Sequence, residues 1–343
     1  VICGSIAVWR FFYALVLDRR MFTQPILILG TGKIAENIAA EIENRRDSAY
    51  KIVAYAGDGE PRINPHRVPV VHDKSEILRV AAAKKAEKII VALDDKRGNM
   101  PLQQLIACKL KGISIVKGIE FYESLTGKIL VEKVNPSWIV FSDGFKQGRS
   151  IQIIKRVIDI SLASFGLLIS LPVILLTSVI IKLESPGTVF YTQDRIGEKG
   201  TIFKVIKFRS MRSDAEKDGP VWASENDSRV TRVGSFIRRV RIDEIPQMWS
   251  VLKGDMSFVG PRPERPVFVE RLAQNIPYYS LRHNIKPGIT GWAQICYPYG
   301  ASEEDALRKL EYDLYYIKNM SVWMDLLIVF QTIKTVLFQR GAR

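Results

Sequence analysis

Between Ile160 and Ile181 the chain runs for about 22 residues without a charged side chain, and roughly 20 are enough to span the hydrocarbon core of a bilayer as an α-helix. Few features restrict a fold more, because such a segment must be buried in a core or placed in lipid. Pro172 stands in its middle. Proline lacks an N–H and costs about 3 kcal/mol inside a regular helix unless a kink is wanted, and Ser170 just upstream could satisfy a freed carbonyl at that kink. Lys155 and Arg156 precede the run and Lys182 follows it, so both ends carry the basic signature of a cytosolic flank. One straight crossing would also put the flanking domains on opposite sides of the membrane. The simplest expectation is a re-entrant helix over 155–183, kinked at Ser170 and Pro172, that enters and leaves on one face. A straight spanning or buried helix is the alternative.

The first 17 residues are mostly apolar and are followed by Asp18, Arg19 and Arg20, which reads as the end of a transmembrane helix over 1–20, with an ordinary buried helix as the alternative. From 21 to 147 strands alternate with helices. Pro25–Gly30, Lys51–Tyr55, Lys88–Leu93 and Gly112–Val116 have strand character, and Ile34, Ile38, Ala39 and Ile42 recur at helical spacing. That alternation predicts an α/β domain with a parallel sheet and helices on both faces. Its first turn, Gly30, Gly32 and Ala35, forms a G-x-G-x-x-A loop that could present N–H groups to a pyrophosphate. The acidic residue expected about 20 positions on is out of register, since Asp58 comes later. The loop is therefore a possible nucleotide site or a packing turn in a regulatory or dimerising domain, and the out-of-register acid weakens an NAD-dependent oxidoreductase.

Fifty Lys and Arg against 36 Asp and Glu give a net charge of +14, which suits anionic lipid, phosphorylated substrates or nucleic acid. A nucleic-acid groove would interleave basic and stacking aromatic residues. Here the arginines are interleaved with Gly, Pro and carboxylates beside an apolar segment, so no nucleic acid is expected. Cys3, Cys108, Cys296, His66, His72 and His283 are too scattered for a disulfide framework or a zinc site.

After residue 148 short basic motifs accumulate: Gln193–Gly197, Lys207–Met211, Arg229–Gly234, Arg238–Glu244, Gly254–Pro263 and Lys286–Trp292. Arginine forks bind phosphate oxygens bidentately. Asp243 and Glu244 are adjacent carboxylates that would point about 100° apart on a helix and so divide roles. Pro246 belongs in a first helical turn, placing Asp243 near a helix N-terminus, where the dipole favours an ionised nucleophile. Glu244 could help hold a divalent cation. The bland reading is a helical ion pair between Arg239 and Asp243.

These motifs carry a resemblance. Lys155-Arg156 with Asp159, the Pro172 helix, Glu184–Gly187, Lys207–Met211, Ile242–Gln247, Val259–Pro263 and Pro287–Gln294 occur in the order found in the bacterial sugar transferase family, the monotopic polyprenyl-phosphate phosphoglycosyltransferases. Residues 1–147 resemble the preceding part of its large members, the end of a membrane domain and a Rossmann-like regulatory or dimerisation module. The resemblance implies a mainly α monotopic membrane catalytic domain over 148–343 on the cytoplasmic face of the inner membrane. It implies transfer of a sugar 1-phosphate from a UDP-sugar to undecaprenyl phosphate through a phosphosugar on Asp243, assisted by Glu244 and Mg²⁺. Lys207, Arg209, Arg262, Arg238 and Arg282 are the candidates for gripping phosphate, anionic membrane lipid is an expected partner, and a homodimer is expected. Cys296–Gly300 departs from the turn many relatives carry, leaving the sugar open, and Ser170-Leu-Pro172 replaces a direct Ser-Pro. The rival function is a membrane-anchored, nucleotide-sensing regulatory scaffold. The C-terminal stripe of Leu326, Leu327, Phe330, Ile333, Val336 and Leu337 either lies in the membrane interface or packs on the protein's own core.

Overall fold

The computed structural model describes residues 23–45, 48–94, 100–133, 145, 148–212, 215, 227–298, 300 and 302–337. The expected transmembrane tail over 1–20 lies outside them, as do Cys3, Gln147, Arg340 and Arg343. One compact unit ends at Gly127 and a second begins at Lys128, earlier than the boundary after Gln147 that the sequence suggests. The reason is apolar: Ile129 and Val131 join the second unit's core with Leu310, Leu314 and Tyr316, and the Ile129 N–H donates to the Glu311 carbonyl at 3.0 Å.

The first unit runs β1 (Gln24–Leu29), α1 (Lys33–Asn44), β2 (Tyr50–Ala56), β3 (Val70–Val71), α2 (Ile77–Ala83), β4 (Lys88–Val91), α3 (Leu102–Leu110), β5 (Ser114–Lys117) and α4 (Gly118–Thr126). All pairings are parallel, in the order β3-β2-β1-β4-β5. Ile26, Leu27, Ile28 and Leu29 of the central strand are fully buried, as expected for a parallel sheet covered on both faces. Each such side chain contributes about 1.5–3 kcal/mol by leaving water. Leu27 and Leu29 pack with Ile77, Ala81, Leu105 and Cys108, while Ile34, Ile38, Ala39 and Ile42 of α1 are buried on the face their spacing predicts. Among the described strands of the first unit, only β3 escapes sequence reading. It is a two-residue edge strand behind Pro69, too short to show a period.

The second unit opens with α5 (Arg149–Glu184), 36 residues long and so about 54 Å. It is helical at every residue, Pro172 included. An antiparallel hairpin of β6 (Phe190–Ile196) and β7 (Ile202–Phe208) follows. Next come α6 (Arg232–Arg239), a 3₁₀ turn Ile242–Glu244 and α7 (Gln247–Lys253). β8 (Ser257–Val259) pairs in parallel with β9 (Gly288–Thr290), and α8 (Pro266–Asn275) lies between them in sequence. The chain continues through α9 (Trp292–Cys296), α10 (Glu303–Lys318) and α11 (Val322–Leu337). A capping box of Ser302 and Asp305 starts α10, satisfying N–H groups that otherwise lack partners.

The most apolar stretch of α5 is only 11% buried. Phe165, Leu168, Leu175 and Leu183 are 60–81% exposed, a surface water-soluble proteins avoid at this extent. On α11, Trp323, Leu326, Leu327, Phe330 and Ile333 are exposed while Asp325 and Ile328 turn inward. As far as Ile333 the C-terminal stripe therefore faces outward, and the second unit is built to associate with a membrane.

His283 lies on the 3₁₀ turn Tyr279–Asn284, edge-on to Tyr279. Burial, helped by the charge of Arg282, holds its imidazole down at about 4, below the ordinary value near 6.5. A depressed histidine folds neutral, so its stabilisation is complete above the unfolded value and is lost as pH falls from about 6.5 toward 4. Denaturant titrations at pH 7 and 5 are expected to differ by about 1–2 kcal/mol in the wild type and by less in His283→Phe.

Candidate active site

Asp243 and Glu244 sit in the 3₁₀ turn between α6 and α7, both buried. Arg241, immediately before, adopts a left-handed conformation with φ of 60°, a strain of roughly 1–2 kcal/mol for a residue with a Cβ. α7 then packs against α5. Arg156 of α5 donates to the Val251 and Leu252 carbonyls at 2.6 and 2.8 Å, satisfying the C-terminal end of α7. A Cβ on Gly166 of α5 would lie 2.7 Å from Met248 Sδ, so a glycine lets the two helices approach. The apolar helix thus carries the element that follows the paired carboxylates.

Glu244 is the paired member. Its Oε1 accepts from Arg262 Nη2 at 2.6 Å and Lys207 Nζ at 3.1 Å, and Oε2 meets Arg241 at 3.8 Å. Burial pushes this carboxyl up, but Arg262 and Lys207 outweigh it and hold the group well below the usual carboxylate range. Reciprocally, the Glu244 charge raises Arg262. Burial pushes Lys207 down against the pull of Glu244.

Asp243 differs in kind. None of the described residues donates a hydrogen bond to its carboxylate. Burial and the adjacent Glu244 charge push it above the usual carboxylate range, opposed by Lys207, Arg238 and Arg262. Desolvation here outweighs the helix-end effect expected from sequence. A partly desolvated, unbonded carboxylate beside three cations is what an attack on phosphorus needs. The ion pair of Arg239 with Asp243 is not formed; Arg239 is exposed, and the cations go to Glu244.

Of the five candidate phosphate-binding cations, Lys207, Arg262 and Arg238 gather around the pair. Arg238 donates from Nε to Ser210 Oγ at 2.8 Å. Arg209 is committed mainly to the backbone, and Arg282 to two side chains and one carbonyl. Arg209 bonds the Ser185 and Pro186 carbonyls at 2.8 Å each, and a Cβ on Gly187, whose φ is 125°, would fall on its Nη1. Arg282 is buried between Asp313 at 2.8 Å and the Tyr279 hydroxyl at 2.6 Å, and its Nη2 donates to the Arg262 carbonyl at 3.0 Å. It fixes the loop that presents Arg262. Arg195 pins the same loop from β6 through the Pro263 carbonyl at 3.0 Å. Ser170 and Pro172 lie within α5.

Two supporting acids, Asp325 and Asp313, lie outside the sequence reading. Lys155 bonds Asp325 at 2.6 Å and the Val259 carbonyl at 3.0 Å, so it and Arg156 serve the fold as well as the flank. Asp313 had a readable signal: an acid among Leu310, Leu314 and Ile317 on the buried stripe of α10 demands a buried cation.

Magnesium characteristically takes one or two carboxylates and completes its shell with substrate phosphates. Among the described residues no three His, Cys, Asp or Glu form a protein-only cage. Glu244 Oε2, with its single long contact to Arg241, and the unbonded Asp243 carboxylate have the right donor chemistry for such a shared ion.

In the first unit, Gly30, Gly32 and Ala35 do form the turn from β1 into α1. The Lys33 N–H there already donates to Asp94 Oδ2 at 2.9 Å, and a Cβ on Gly32 would collide with that same oxygen. Gly32 is thus needed by Asp94 itself. Gly32→Ala is expected to cost about 1–3 kcal/mol in chemical denaturation, and clearly less in an Asp94→Ala background.

The family described as bacterial sugar transferase matches residues 150–339. The chain is 44% identical over 239 residues to UDP-N-acetylgalactosamine-undecaprenyl-phosphate N-acetylgalactosaminephosphotransferase of Aeromonas hydrophila, covering 70% of this chain and 56% of that relative. It is 46% identical over 184 residues to UDP-glucose:undecaprenyl-phosphate glucose-1-phosphate transferase of Escherichia coli, 53% of this chain and 40% of that protein. Undecaprenyl-phosphate glucose phosphotransferase of Komagataeibacter xylinus is 32% identical over 341 residues, 94% of this chain and 61% of its own length. The chain therefore spans between 40% and 61% of these three relatives.

Proposed function

Since the chain belongs to the bacterial sugar transferase family, we propose that it transfers a sugar 1-phosphate from a UDP-sugar to undecaprenyl phosphate, releasing UMP. The observation that carries this is the division of labour in the paired carboxylates: Glu244 neutralised by Arg262 and Lys207, Asp243 left unbonded. In the first step an Asp243 oxygen attacks the β-phosphorus of the donor. A bond from the carboxylate to phosphorus forms, the bridging P–O bond breaks, and UMP leaves. In the second, a phosphate oxygen of the polyprenyl acceptor attacks the same phosphorus and returns Asp243 as carboxylate. Arg262, Lys207 and Arg238 offset the charge of the diphosphate. Glu244 Oε2 would hold Mg²⁺, which when bound supplies further neutralisation of the phosphates.

The strand order β3-β2-β1-β4-β5 supports a Rossmann-like first unit, with regulation or dimerisation as its role. The bond from Lys33 N–H to Asp94 works against nucleotide sensing at its glycine loop. For the second unit, the exposed apolar faces of α5 and α11 support residence on the cytoplasmic face of the inner membrane, contact with anionic lipid, and a re-entrant placement of α5 with its proline at the deepest part. The reaction would open assembly of a surface polysaccharide.

The test is UMP release from a panel of UDP-sugars, N-acetylgalactosamine and glucose among them, with undecaprenyl phosphate and Mg²⁺. Release with one donor, dependent on acceptor for turnover, is expected. Silence across the panel from folded protein in lipid nanodiscs would overturn the reading.

A further inference from the structure

A groove of about 380 Å³ runs between the second half of α5 and α6, lined by Val173, Leu176 and Ile180 on one side, Val233 and Phe236 on the other, and Ile242. Its size lies within the roughly 300–1,000 Å³ typical of small-molecule pockets. Arg232 is the one charged side chain in the lining, exposed, and it makes no ion pair among the described residues. Three features say what kind of molecule fits. The α5 wall is continuous with the outward apolar face of that helix, where Leu175, Leu176 and Val179 are 57–63% exposed, so an apolar chain can enter sideways from a bilayer. The lining reaches Ile242, the residue bonded to Asp243. Finally, α6 presents Val233, Phe236 and Ile237 to the groove and on its next residue carries Arg238, whose charge reaches Asp243. One short helix thus joins an apolar wall to a cation at the reacting carboxylate.

We propose that this groove holds the isoprene units nearest the phosphate of the polyprenyl phosphate acceptor, delivering that phosphate to Asp243 past Ile242. This rests on the transferase reading above and adds the acceptor's binding site to it. Branched side chains on both walls match a branched isoprenoid, and Phe236, 59% exposed, provides a flat apolar surface against it. Bilayer acyl chains are the competing occupant.

The experiment uses the full chain in lipid nanodiscs and reads two reactions. Exchange of labelled UMP into UDP-sugar reports the donor step and needs no acceptor; turnover with undecaprenyl phosphate reports both steps. Leu176→Trp narrows the groove from an exposed position where folding is not at risk, and Phe236→Ala removes its aromatic wall. Each is expected to raise KM for undecaprenyl phosphate about tenfold while UMP exchange stays within twofold of wild type. An undecaprenyl phosphate analogue with a photoreactive group on its second isoprene unit should label peptides within 173–180 or 232–242. Wild-type turnover with unchanged acceptor KM in both variants, or labelling confined to other segments, would overturn the groove. Equal labelling by a phospholipid photoprobe that undecaprenyl phosphate fails to displace would assign it to bilayer lipid and also overturn it. A wild type lacking both exchange and turnover would instead overturn the transferase reading.

Discussion

Asp243→Asn is expected to lower both UMP exchange and turnover by about 10³-fold or more, because an amide oxygen is a far weaker nucleophile than the carboxylate it replaces. The two carboxylates are adjacent and both buried, so removing one negative charge relieves repulsion. Thermal melting should therefore show no loss of stability, which separates a chemical defect from a folding one. Glu244→Gln makes the contrast. It leaves Arg262 and Lys207 facing a neutral group, so stability should fall together with activity. An Asp243→Asn variant that exchanged UMP at a tenth of the wild-type rate would remove Asp243 as nucleophile and with it the two-step route.

Arg262→Ala carries the second large effect, on stability and activity together. The change strips from Glu244 its shortest partner, at 2.6 Å, and leaves a buried carboxylate with Lys207 and the longer contact to Arg241. Breaking a buried pair costs about 3–5 kcal/mol. With about a third of the Arg262 side chain exposed, the lower figure of about 2–3 kcal/mol is expected. Activity should fall about 10²–10³-fold through loss of a charge opposite the diphosphate. The double variant Arg262→Ala with Glu244→Gln is expected to recover most of the stability and none of the activity. Recovery of activity, measured as UMP exchange, would mean that Arg262 serves only to neutralise Glu244.

The cations around Glu244 show why part of the site was legible and part was not. Guanidinium and ammonium groups suit phosphate, which makes Lys207, Arg238 and Arg262 candidates, and all three surround the carboxylates. Arg209 and Arg282 are candidates on the same chemistry but are bonded to the Ser185, Pro186 and Arg262 carbonyls. A basic residue in a glycine-rich motif looks the same in sequence whether its partner is a ligand or a carbonyl, since the carbonyl comes from a segment far along the chain. Lys155 and Arg156 illustrate the same ambiguity. Their position at the end of an apolar run marks a membrane flank, yet their partners Asp325 and Val251 lie 170 and 95 residues away.

By itself the sequence determined the parallel α/β unit, the long apolar helix, the apolar stripe near the C-terminus (though not which way it faces) and the paired carboxylates. These depend on local periodicity, on stretch length and on adjacency along the chain, which need no tertiary contact to be read. Only the tertiary structure decided that the second unit begins at Lys128, that Asp94 is bonded at the glycine loop, and that Glu244 is neutralised while Asp243 is not. Each of these turns on a contact between distant segments, or on how much water burial removes from one carboxyl and its neighbour. Desolvation and pairing are properties of the packed molecule, and two adjacent acids acquire different chemistry only when the chain has folded around them.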